Sequence, residues 1–364
     1  MSPRRKKPRA LQTPIKPASV SPDINIQSLI DGCFTSFNAR SFRKACQVYT
    51  KQIMKRNVRI GLSLAGALVP AGLGKSCIIP MIQNGLVDWI VSTGANLYHD
   101  LHGVLGYSMY EGCPNTDDDM LHQQGVVRIH DLYFEDNALY DTDAFVREVL
   151  GECAQMDPGG RYTTAEINRL LGAALIERNA KAAESSVLAT AYQYDVPIYV
   201  PSPGDSNIGM NVAALNLQET VLSIDPSRDV NETASIVYDA KKRGGSSAVI
   251  ILGGGSPKNF LLQTEPHIQE VLGLDEAGHD FFIQFTDARI DTGGLSGATP
   301  NEAVTWGKID PTQLQKSVVC YGDATVYLPL FLAYILASGK HRKPARLFDK
   351  LPAMFKQLQK DVTP

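Results

Sequence analysis

The stretch that decides the fold class is residues 247–252 (SAVIIL), followed directly by Gly253, Gly254 and Gly255. A short run of small and apolar residues closed by glycines predicts a strand buried on both faces. Further runs of this kind occur on either side of it, each followed by small residues and then by a helical pattern. The predicted strands are 60–68, 86–92, 197–200, 220–224, 247–252, 280–286 and 318–321.

Helical patterns fill the segments between these strands. A helix is predicted over 74–84, and an amphipathic one over 163–182, where Thr163 or Thr164 precedes Glu166 as the N-cap. Asp225 caps a further helix that runs to Lys242. Repeated strand–turn–helix units predict an α/β fold, a Rossmann-like parallel sheet flanked by helices in a single large domain. This domain is expected to span residues 23–364.

The composition excludes several classes of protein. The chain has 364 residues, 44% of them hydrophobic, and a formal net charge of −3, so no overall field would attract nucleic acid or a membrane surface. The longest apolar stretch, 326–337, is too short to cross a bilayer. Residues 1–22 are basic and rich in proline, which predicts a disordered tail, with an anion-binding or targeting arm as the alternative.

The six cysteines lie far apart and form no CxxC pair. This spacing argues against a zinc ribbon or a disulfide scaffold and favours reduced thiols in the cytoplasm. His99 and His102 are three residues apart but have no evident third ligand, so no metal site is predicted. Asp117, Asp118 and Asp119 are interpreted as part of a solvated loop.

Polar and small residues follow most of the predicted strands. In an open parallel sheet, ligands bind outside the carboxyl ends of the strands. Glycines there allow close backbone approach, and carboxylates can accept hydrogen bonds from ribose hydroxyls, so these positions predict a nucleotide site. They are Thr93, Gly94, Asp205, Gly253, Gly254, Gly255, Thr286, Asp287, Asp323 and Ala324.

Residues 69–76 (VPAGLGKS) nearly match the phosphate-binding pattern GxxxxGK[ST]. The pattern requires glycine at position 69, where valine stands, so the loop cannot easily turn its amides toward a phosphate. A helix N-terminus beside a nucleotide is the preferred interpretation. The glycines at 253–255 are either an anion-binding turn or an ordinary tight turn from strand to helix.

Residues 291–308 (DTGGLSGATPNEAVTWGK) carry the clearest indication of chemistry. We expect Trp306 to be buried beside Lys308, where lost hydration would favour the neutral amine that attacks an imine or carbonyl carbon. Glu302 and the face of Trp306 would hold an organic cation by charge and by cation–π attraction. The alternative is that Lys308 is a solvated turn residue.

Residues 297–309 (GATPNEAVTWGKI) closely resemble the active-site segment of deoxyhypusine synthase. The motif IILGGGxxK at 250–258, the strand ending at Thr286 and YGDAT at 321–325 follow in the family's order, and the resemblance spans about residues 25–340.

The resemblance implies an NAD-dependent aminobutyl transfer in which a hydride leaves spermidine for NAD and returns at the end. The lysine that carries the butylamine unit would be Lys308. The implied NAD contacts are Thr93, Gly94, Asp205, Gly254, Thr286, Asp287, Asp323 and Ala324, and the implied amine-site residues are Ser296, Glu302, Trp306 and Lys308. The family also implies a homotetramer with active sites between subunits.

The sequence departs from the protein-modifying members of that family. Asn259 stands where they carry a histidine, which shuttles protons near neutral pH as an amide cannot. Tyr98 and His99 replace two glutamates, and Met210 and Leu295 align with aspartates, the second match being made uncertain by an insertion near Thr292. The transfer lysine is therefore retained while the acidic groups that hold a triamine are neutralised.

These departures predict the same chemistry on different amines, most simply homospermidine synthesis from putrescine, spermidine or both. The alternatives are modification of a translation-factor lysine, use of a guanidino amine such as agmatine, and a non-catalytic protein that binds NAD or polyamines.

Overall fold

A six-stranded parallel sheet forms the centre of the computed structural model, which describes residues 14–218 and 222–362. Its strands are β1 (Val58–Leu64), β2 (Trp89–Ser92), β7 (Ile198–Tyr199), β9 (Ser246–Leu252), β10 (Phe281–Thr286) and β11 (Ser317–Tyr321). The order across the sheet is β11-β10-β9-β1-β2-β7. Because all six strands are parallel, their carboxyl ends meet at one edge.

Strand β9 lies between β1 and β10 and is covered on both faces. Ala248, Ile250 and Leu252 point into one apolar layer, and Val249 and Ile251 point into the other. All five side chains are buried. This explains the unbroken apolar run in the sequence, since a central parallel strand has no face in contact with water.

Helices form both layers. The first layer contains α1 (Ile26–Cys33), α2 (Phe37–Val48), α3 (Ile79–Gln83), α4 (Gly94–Val104) and α13 (Ala324–Ala337). The second contains α10 (Pro226–Lys242), α11 (Gly255–Pro266) and α14 (Leu351–Val362). The remaining helices are α5 (Asp118–Gln123), α6 (Asn137–Met156), α7 (Thr164–Ala183), α8 (Val187–Gln193), α9 (Asn207–Asn216) and α12 (Pro300–Thr305).

The predicted α/β fold with a parallel sheet and flanking helices in one domain is confirmed. So is the cap at Thr163, where the hydroxyl and the Glu166 side chain form a reciprocal capping box. No helix in the described part of the chain has the length and apolarity needed to cross a bilayer.

The strand predicted at 220–224 was expected to belong to the main sheet, and this is wrong. Its described part, β8 (Leu222–Ile224), pairs instead with β6 (Gly160–Tyr162) in a separate two-stranded sheet. The three residues of β8 pair in parallel register with the three residues of β6. The antiparallel sheet of β3 (Tyr110–Glu111), β4 (Val126–Ile129) and β5 (Leu132–Glu135) was not predicted.

One other predicted loop differs in detail from the structure, and the predicted tail is described only in part. Asp117 is the N-cap of α5, its carboxylate accepting hydrogen bonds from the amides of Asp119 and Met120, so the expected loop of aspartates is a helix start. Residues 14–22 of the predicted tail are exposed and contain no helix or strand, and residues 1–13 lie outside the described residues.

A buried ion pair fixes the end of the chain to the sheet. The Arg342 guanidinium donates two hydrogen bonds to the Asp88 carboxylate, at 2.9 and 2.8 Å, and two more to the carbonyl oxygens of Gly85 and Val58. Asp88 also accepts from the amide of Ile60 at 2.8 Å. Both terminal nitrogens of Arg342 and both carboxylate oxygens of Asp88 thus have partners, which compensates for the cost of burying two charges.

We expect Arg342→Ala to destabilise the protein by about 3–5 kcal/mol, because it removes the hydrogen-bonded counter-charge of the buried Asp88 carboxylate and leaves only the longer contact to Arg59, whose Nη1 atom lies 4.0 Å from Asp88 Oδ2. Urea unfolding followed by circular dichroism measures this loss. Arg289→Ala is the matched control, since Arg289 pairs with Asp291 on the surface and such pairs contribute only about 0–1 kcal/mol. Equal effects of the two substitutions would contradict the role given to Arg342.

Candidate active site

Two cavities lie on either side of the first turn of α11, the first at the carboxyl edge of the sheet and the second beside β10, where Phe282 lines it. Gly255, Ser256 and Pro257 line the first cavity. The next two residues, Lys258 and Asn259, line the second. The glycine turn after β9 therefore places one short helical segment between two neighbouring binding spaces.

The first cavity has a volume of about 220 Å³ and lies among the ends of β1, β2, β7 and β9. Of the predicted cofactor residues, it is lined by Thr93, Gly94 and Asp205. Thr93 caps α4: its hydroxyl accepts from the Asn96 amide at 3.3 Å and donates to the carbonyl oxygen of Gly66 at 2.8 Å. A side chain at Gly94 would meet Ser206 at 2.3 Å, so only glycine allows the two turns to pack this closely.

The chemistry of this cavity fits an anionic dinucleotide. The N-termini of α4 and α11, each at least eleven residues long, both contribute to its walls, and the positive end of a helix dipole favours an anionic group. Asp205 adds an exposed carboxylate that could accept hydrogen bonds from ribose hydroxyls. The residues present are therefore suited to holding NAD.

The other predicted cofactor residues lie further along the same edge, outside the lining of the first cavity. Thr286 ends β10 and is buried, and Asp287 beside it is exposed. Asp323 caps α13 by accepting from the Thr325 amide at 2.8 Å, with the buried Ala324 next to it. The Gly322 amide donates to the Thr286 carbonyl oxygen at 2.8 Å, which joins these two strand ends.

The second cavity, about 280 Å³ in volume, contains the predicted transfer lysine. It is lined by Lys258, Asn259, Leu262, Gln263, Phe282, Leu295, Ala298, Glu302, Ala303, Trp306 and Lys308. The Lys308 Nζ atom donates a hydrogen bond to Asn259 Oδ1 at 3.0 Å and lies 5.7 Å from the centre of the Trp306 ring. The structure thus brings Asn259, Glu302, Trp306 and Lys308 together around one space.

Burial lowers the pKa of Lys308 below its ordinary value, and the nearby Glu302 carboxylate opposes this shift. The amide of Asn259 offers the Lys308 amine an uncharged acceptor. A lowered pKa increases the fraction of neutral amine near neutral pH, which is the nucleophilic form.

Trp306 was expected to be buried, and in the single chain this is wrong: 60% of the residue is exposed. The reason is its position directly after α12, where the ring forms the outer wall of the cavity rather than part of the core. Leu295 on the same wall is 51% exposed. The cavity is therefore enclosed by protein on its inner side and open on the side of these two residues.

Ser296 connects the two cavities instead of lining either one. Its hydroxyl accepts from the Gly255 amide at 2.9 Å. A side chain at Gly254 would meet Ser296 at 2.4 Å, so glycine at 254 is what lets the loop of Ser296 lie directly on the turn after β9. Gly254 accordingly lies between the cavities.

Sequence reasoning assigned no site role to several lining residues. Ala65 and Gly66, which follow β1, line the first cavity together with Ser202 and Ser256, and Lys258 lines the second. The small residues after β1 repeat the pattern that identified the other strand ends, so they could have been found. Gln284, a polar residue inside the apolar strand β10, was the sequence signal for a buried polar contact beneath the second cavity.

Residues 69–76, which nearly match the phosphate-binding pattern, form wide helical turns ahead of α3. The first amide of this segment, that of Val69, donates to Asn96 Oδ1 at 3.0 Å and so is not free for a phosphate.

The two histidines considered as metal ligands contact each other. His99 Nδ1 lies 3.1 Å from His102 Nε2, and His102 Nδ1 lies 2.7 Å from the Thr142 hydroxyl. These two histidines form a hydrogen-bonded chain.

Comparison of the sequence with known proteins shows the family to which the chain belongs. The family model for deoxyhypusine synthase matches residues 31–335. The chain is 52% identical over 350 residues to a deoxyhypusine synthase-like protein of Nostoc punctiforme, covering 95% of this chain and 89% of that protein. It is 37% identical over 332 residues to a Methanosarcina acetivorans protein provisionally assigned as deoxyhypusine synthase 2, covering 91% of each.

Among solved structures, the fold is similar to that of an Entamoeba histolytica chain proposed to be a deoxyhypusine synthase. The TM-score is 0.62 at 17% sequence identity, covering 90% of this chain and 99% of that one. The extent of the family match and the identity to both relatives lead to one conclusion: the chain belongs to the deoxyhypusine synthase family, whose members are NAD-dependent aminobutyl transferases.

Proposed function

We propose that this protein is an aminobutyl transferase that uses NAD to make homospermidine from putrescine, from spermidine, or from both. The observation that carries the proposal is the second cavity, which combines the Lys308 amine with a single carboxylate, that of Glu302. Its other walls are mostly apolar. Such a space would hold one ammonium end of an amine by charge and leave its alkyl chain against apolar walls.

The neutral residues at the departures from the family pattern support small amines as substrates. Leu295 contributes an apolar wall to the second cavity. Tyr98 is buried, and its hydroxyl oxygen lies within hydrogen-bonding distance of two acceptors, Asp143 Oδ1 at 2.8 Å and the Leu139 carbonyl oxygen at 2.9 Å. Its polar atom is thus already engaged within the protein and is not available to a substrate ammonium group.

Three residues of the second cavity, Glu302, Trp306 and Lys308, would have defined parts in the reaction. Glu302 and the Trp306 ring would hold the protonated end of the donor. Lys308, in its neutral form, would attack the oxidised carbon of the donor, displacing 1,3-diaminopropane from spermidine or ammonia from putrescine, and would carry the four-carbon unit as an imine. The amine of putrescine would then displace Lys308 from this carbon.

The first cavity is where NAD would bind, with Thr93, Gly94 and Asp205 on one side and Thr286, Asp287, Asp323 and Ala324 further along the sheet edge. When bound, the nicotinamide supplies a hydride acceptor for the donor amine and returns the hydride to the product. Gly254 and Ser296 lie between the two cavities, so they would define the position at which the cofactor meets the amine.

We further propose a homotetramer with active sites between subunits, located in the cytoplasm. The exposed cavity wall of Trp306 and Leu295 supports an assembly in which a neighbouring subunit completes the site. The six cysteines are all free thiols, which suits a reducing compartment.

The purified protein, incubated with NAD and putrescine, with and without spermidine, is expected to form homospermidine detectable by mass spectrometry. Lys308→Ala should lower its formation by several orders of magnitude while NAD still binds, because the covalent carrier is lost. Lys356→Ala, a change at an exposed lysine, is the control. No new polyamine with the unaltered protein would reject the proposal, and label from spermidine in a protein band would instead favour modification of a translation-factor lysine.

The pH dependence of transfer tests the environment of Lys308. Activity should rise with pH as Lys308 loses its proton, with a midpoint below the ordinary lysine range because burial lowers the pKa of Lys308. Asn259→Asp places a carboxylate on the Lys308 amine, which raises the pKa of Lys308 and moves the midpoint to higher pH. Gln263→Glu adds the same charge at an exposed position of the same cavity and should shift the midpoint less. Equal shifts would contradict a specific contact with Asn259.

Cofactor affinity tests the assignment of Asp323. Removing a carboxylate that accepts from a ribose hydroxyl should weaken NAD binding by about 1–3 kcal/mol, so Asp323→Ala should raise the Kd measured by calorimetry. Because Asp323 also caps α13, Asp323→Asn separates the two roles: it keeps an N-cap but removes the charge. Asp275→Ala, at an exposed acid, is the control. Unchanged affinity in both Asp323 variants would show that this residue does not bind NAD.

A further inference from the structure

The end of α12 determines where the backbone of Lys308 lies. The Gly307 amide donates to the Val304 carbonyl oxygen at 3.1 Å, and the Lys308 amide donates to the Ala303 carbonyl oxygen at 3.0 Å. With Gly307 at a φ of +65°, these contacts form a Schellman motif. The motif uses the amides of Gly307 and Lys308, so their carbonyl oxygens can accept from other segments of the chain.

Gln269 contacts the first of these carbonyl groups through its side chain. It lies on the wide helical turn His267–Val271 that continues α11, and its Nε2 atom donates to the Gly307 carbonyl oxygen at 2.8 Å. A side chain at Gly307 would meet Gln269 Oε1 at 2.5 Å. Glycine at 307 therefore serves two purposes: it adopts the left-handed conformation and it admits the Gln269 amide.

Glu265 contacts the same amide from the interior. It lies one turn earlier, on α11, and is 0% exposed. Its Oε2 atom accepts from Gln269 Nε2 at 3.4 Å. The two N–H groups of the Gln269 amide thus serve two oxygens, one from Glu265 and one from Gly307. This pairing directs the nitrogen of the amide, and not its oxygen, toward the Gly307 carbonyl group.

The segment before β10 contacts the other side of the same loop. The His279 amide donates to the Lys308 carbonyl oxygen at 3.0 Å, and the His279 carbonyl oxygen accepts from the Asp310 amide at 3.1 Å. A side chain at Gly278 would lie 2.6 Å from the Asp310 nitrogen, so the two segments pass very close to each other. These are backbone contacts, which leaves Gln269 as the residue whose side chain holds the loop.

We propose that Gln269, oriented by Glu265, is a positioning residue for Lys308. Its amide holds the carbonyl group of Gly307, which belongs to the peptide unit directly before Lys308. The loop held in this way directs the Lys308 side chain into the second cavity, where its Nζ atom reaches Asn259 Oδ1 at 3.0 Å. Gln269 and Glu265 are not among the described residues that line the two cavities, so both act on the amine through the backbone.

This inference rests on the proposed role of Lys308, but its first test needs neither substrate nor NAD. Burial lowers the pKa of Lys308, so the pH at which its amine becomes reactive reports how far the side chain is inserted into the cavity. Neutral amines react with acetic anhydride and ammonium groups do not. The intact protein is labelled briefly between pH 6 and 11, and Lys308 and the exposed Lys356 are quantified by peptide mass spectrometry, each relative to its rate at the highest pH.

Gln269→Met removes the amide at nearly constant size and should move the Lys308 midpoint to higher pH, toward that of Lys356. A shift of about half a pH unit would slow the relative labelling below the midpoint about threefold. Gln269→Asn keeps an amide but is one carbon shorter, so it should shift the midpoint in the same direction, and it decides if Gln269→Met does not fold. Gln315→Leu, a change at an exposed glutamine, is the control and should leave the midpoint unchanged.

Kinetics of the active enzyme provide a second readout that general damage to the fold would not reproduce. Gln269→Met should lower kcat for homospermidine formation about fivefold, the effect of one lost hydrogen bond. The Kd for NAD measured by calorimetry should stay the same, because Gln269 does not line the first cavity. Equal losses in kcat and in NAD affinity would contradict a positioning role.

The proposal is overturned if the Lys308 midpoint is the same in the folded Gln269 variants as in the unaltered protein, with folding checked by circular dichroism. A Lys308 that titrates together with Lys356 in the unaltered protein would overturn it as well, since its amine would then not be held in the cavity. Failure to find homospermidine leaves these labelling outcomes unaffected, so the two proposals fail separately.

Discussion

The pairing of β9 with both of its neighbours is the constraint on which the arrangement of the site depends. Seven residues of β9 pair in register with β1, and five of them pair with β10. This register brings the turn after β9 to the same level as the end of β10, where the Gly253 amide donates to the Phe285 carbonyl oxygen at 2.8 Å. Since α11 begins at that turn, the sheet fixes the position of the helical turn that divides the two cavities.

Buried polar contacts also hold the site together. Each of these groups would destabilise the folded protein if its hydrogen-bond partner were missing, because an unpaired polar group in an apolar interior has lost its contacts with water. Gln284 and Lys258 connect three separate chain segments below Lys308. A comparable arrangement occurs at the opposite end of the sheet, where Arg342 satisfies Asp88 and two carbonyl oxygens. In both places a long basic side chain that donates several hydrogen bonds joins loops to the sheet, where apolar packing alone would not specify one position.

Much of this architecture could be predicted from the sequence, because buried parallel strands produce continuous apolar runs such as that of β9. The short strand β8 was misplaced, since three residues give no information about which partner they pair with. In the site, the motif around Lys308 predicted Glu302 and Trp306 as its neighbours, and all three residues line one cavity. The exposure of Trp306 could not be predicted from the sequence. An aromatic residue directly after a helix gives the same sequence pattern whether its side chain lies in the core or at the rim of a cavity. Gln284 was visible in the sequence as an interruption of an apolar strand, but its partners come from segments far away in the chain.

The different environments of the two tryptophans give the protein a built-in optical reporter. The chain has only Trp89 and Trp306. Trp89 is 1% exposed, within the core between sheet and helices, whereas Trp306 forms the rim of the amine cavity. In the single chain, iodide, a quencher that stays in water, therefore reaches the indole of Trp306 and not that of Trp89. The quenchable fraction of the fluorescence follows what happens at that rim, without any label attached to the chain.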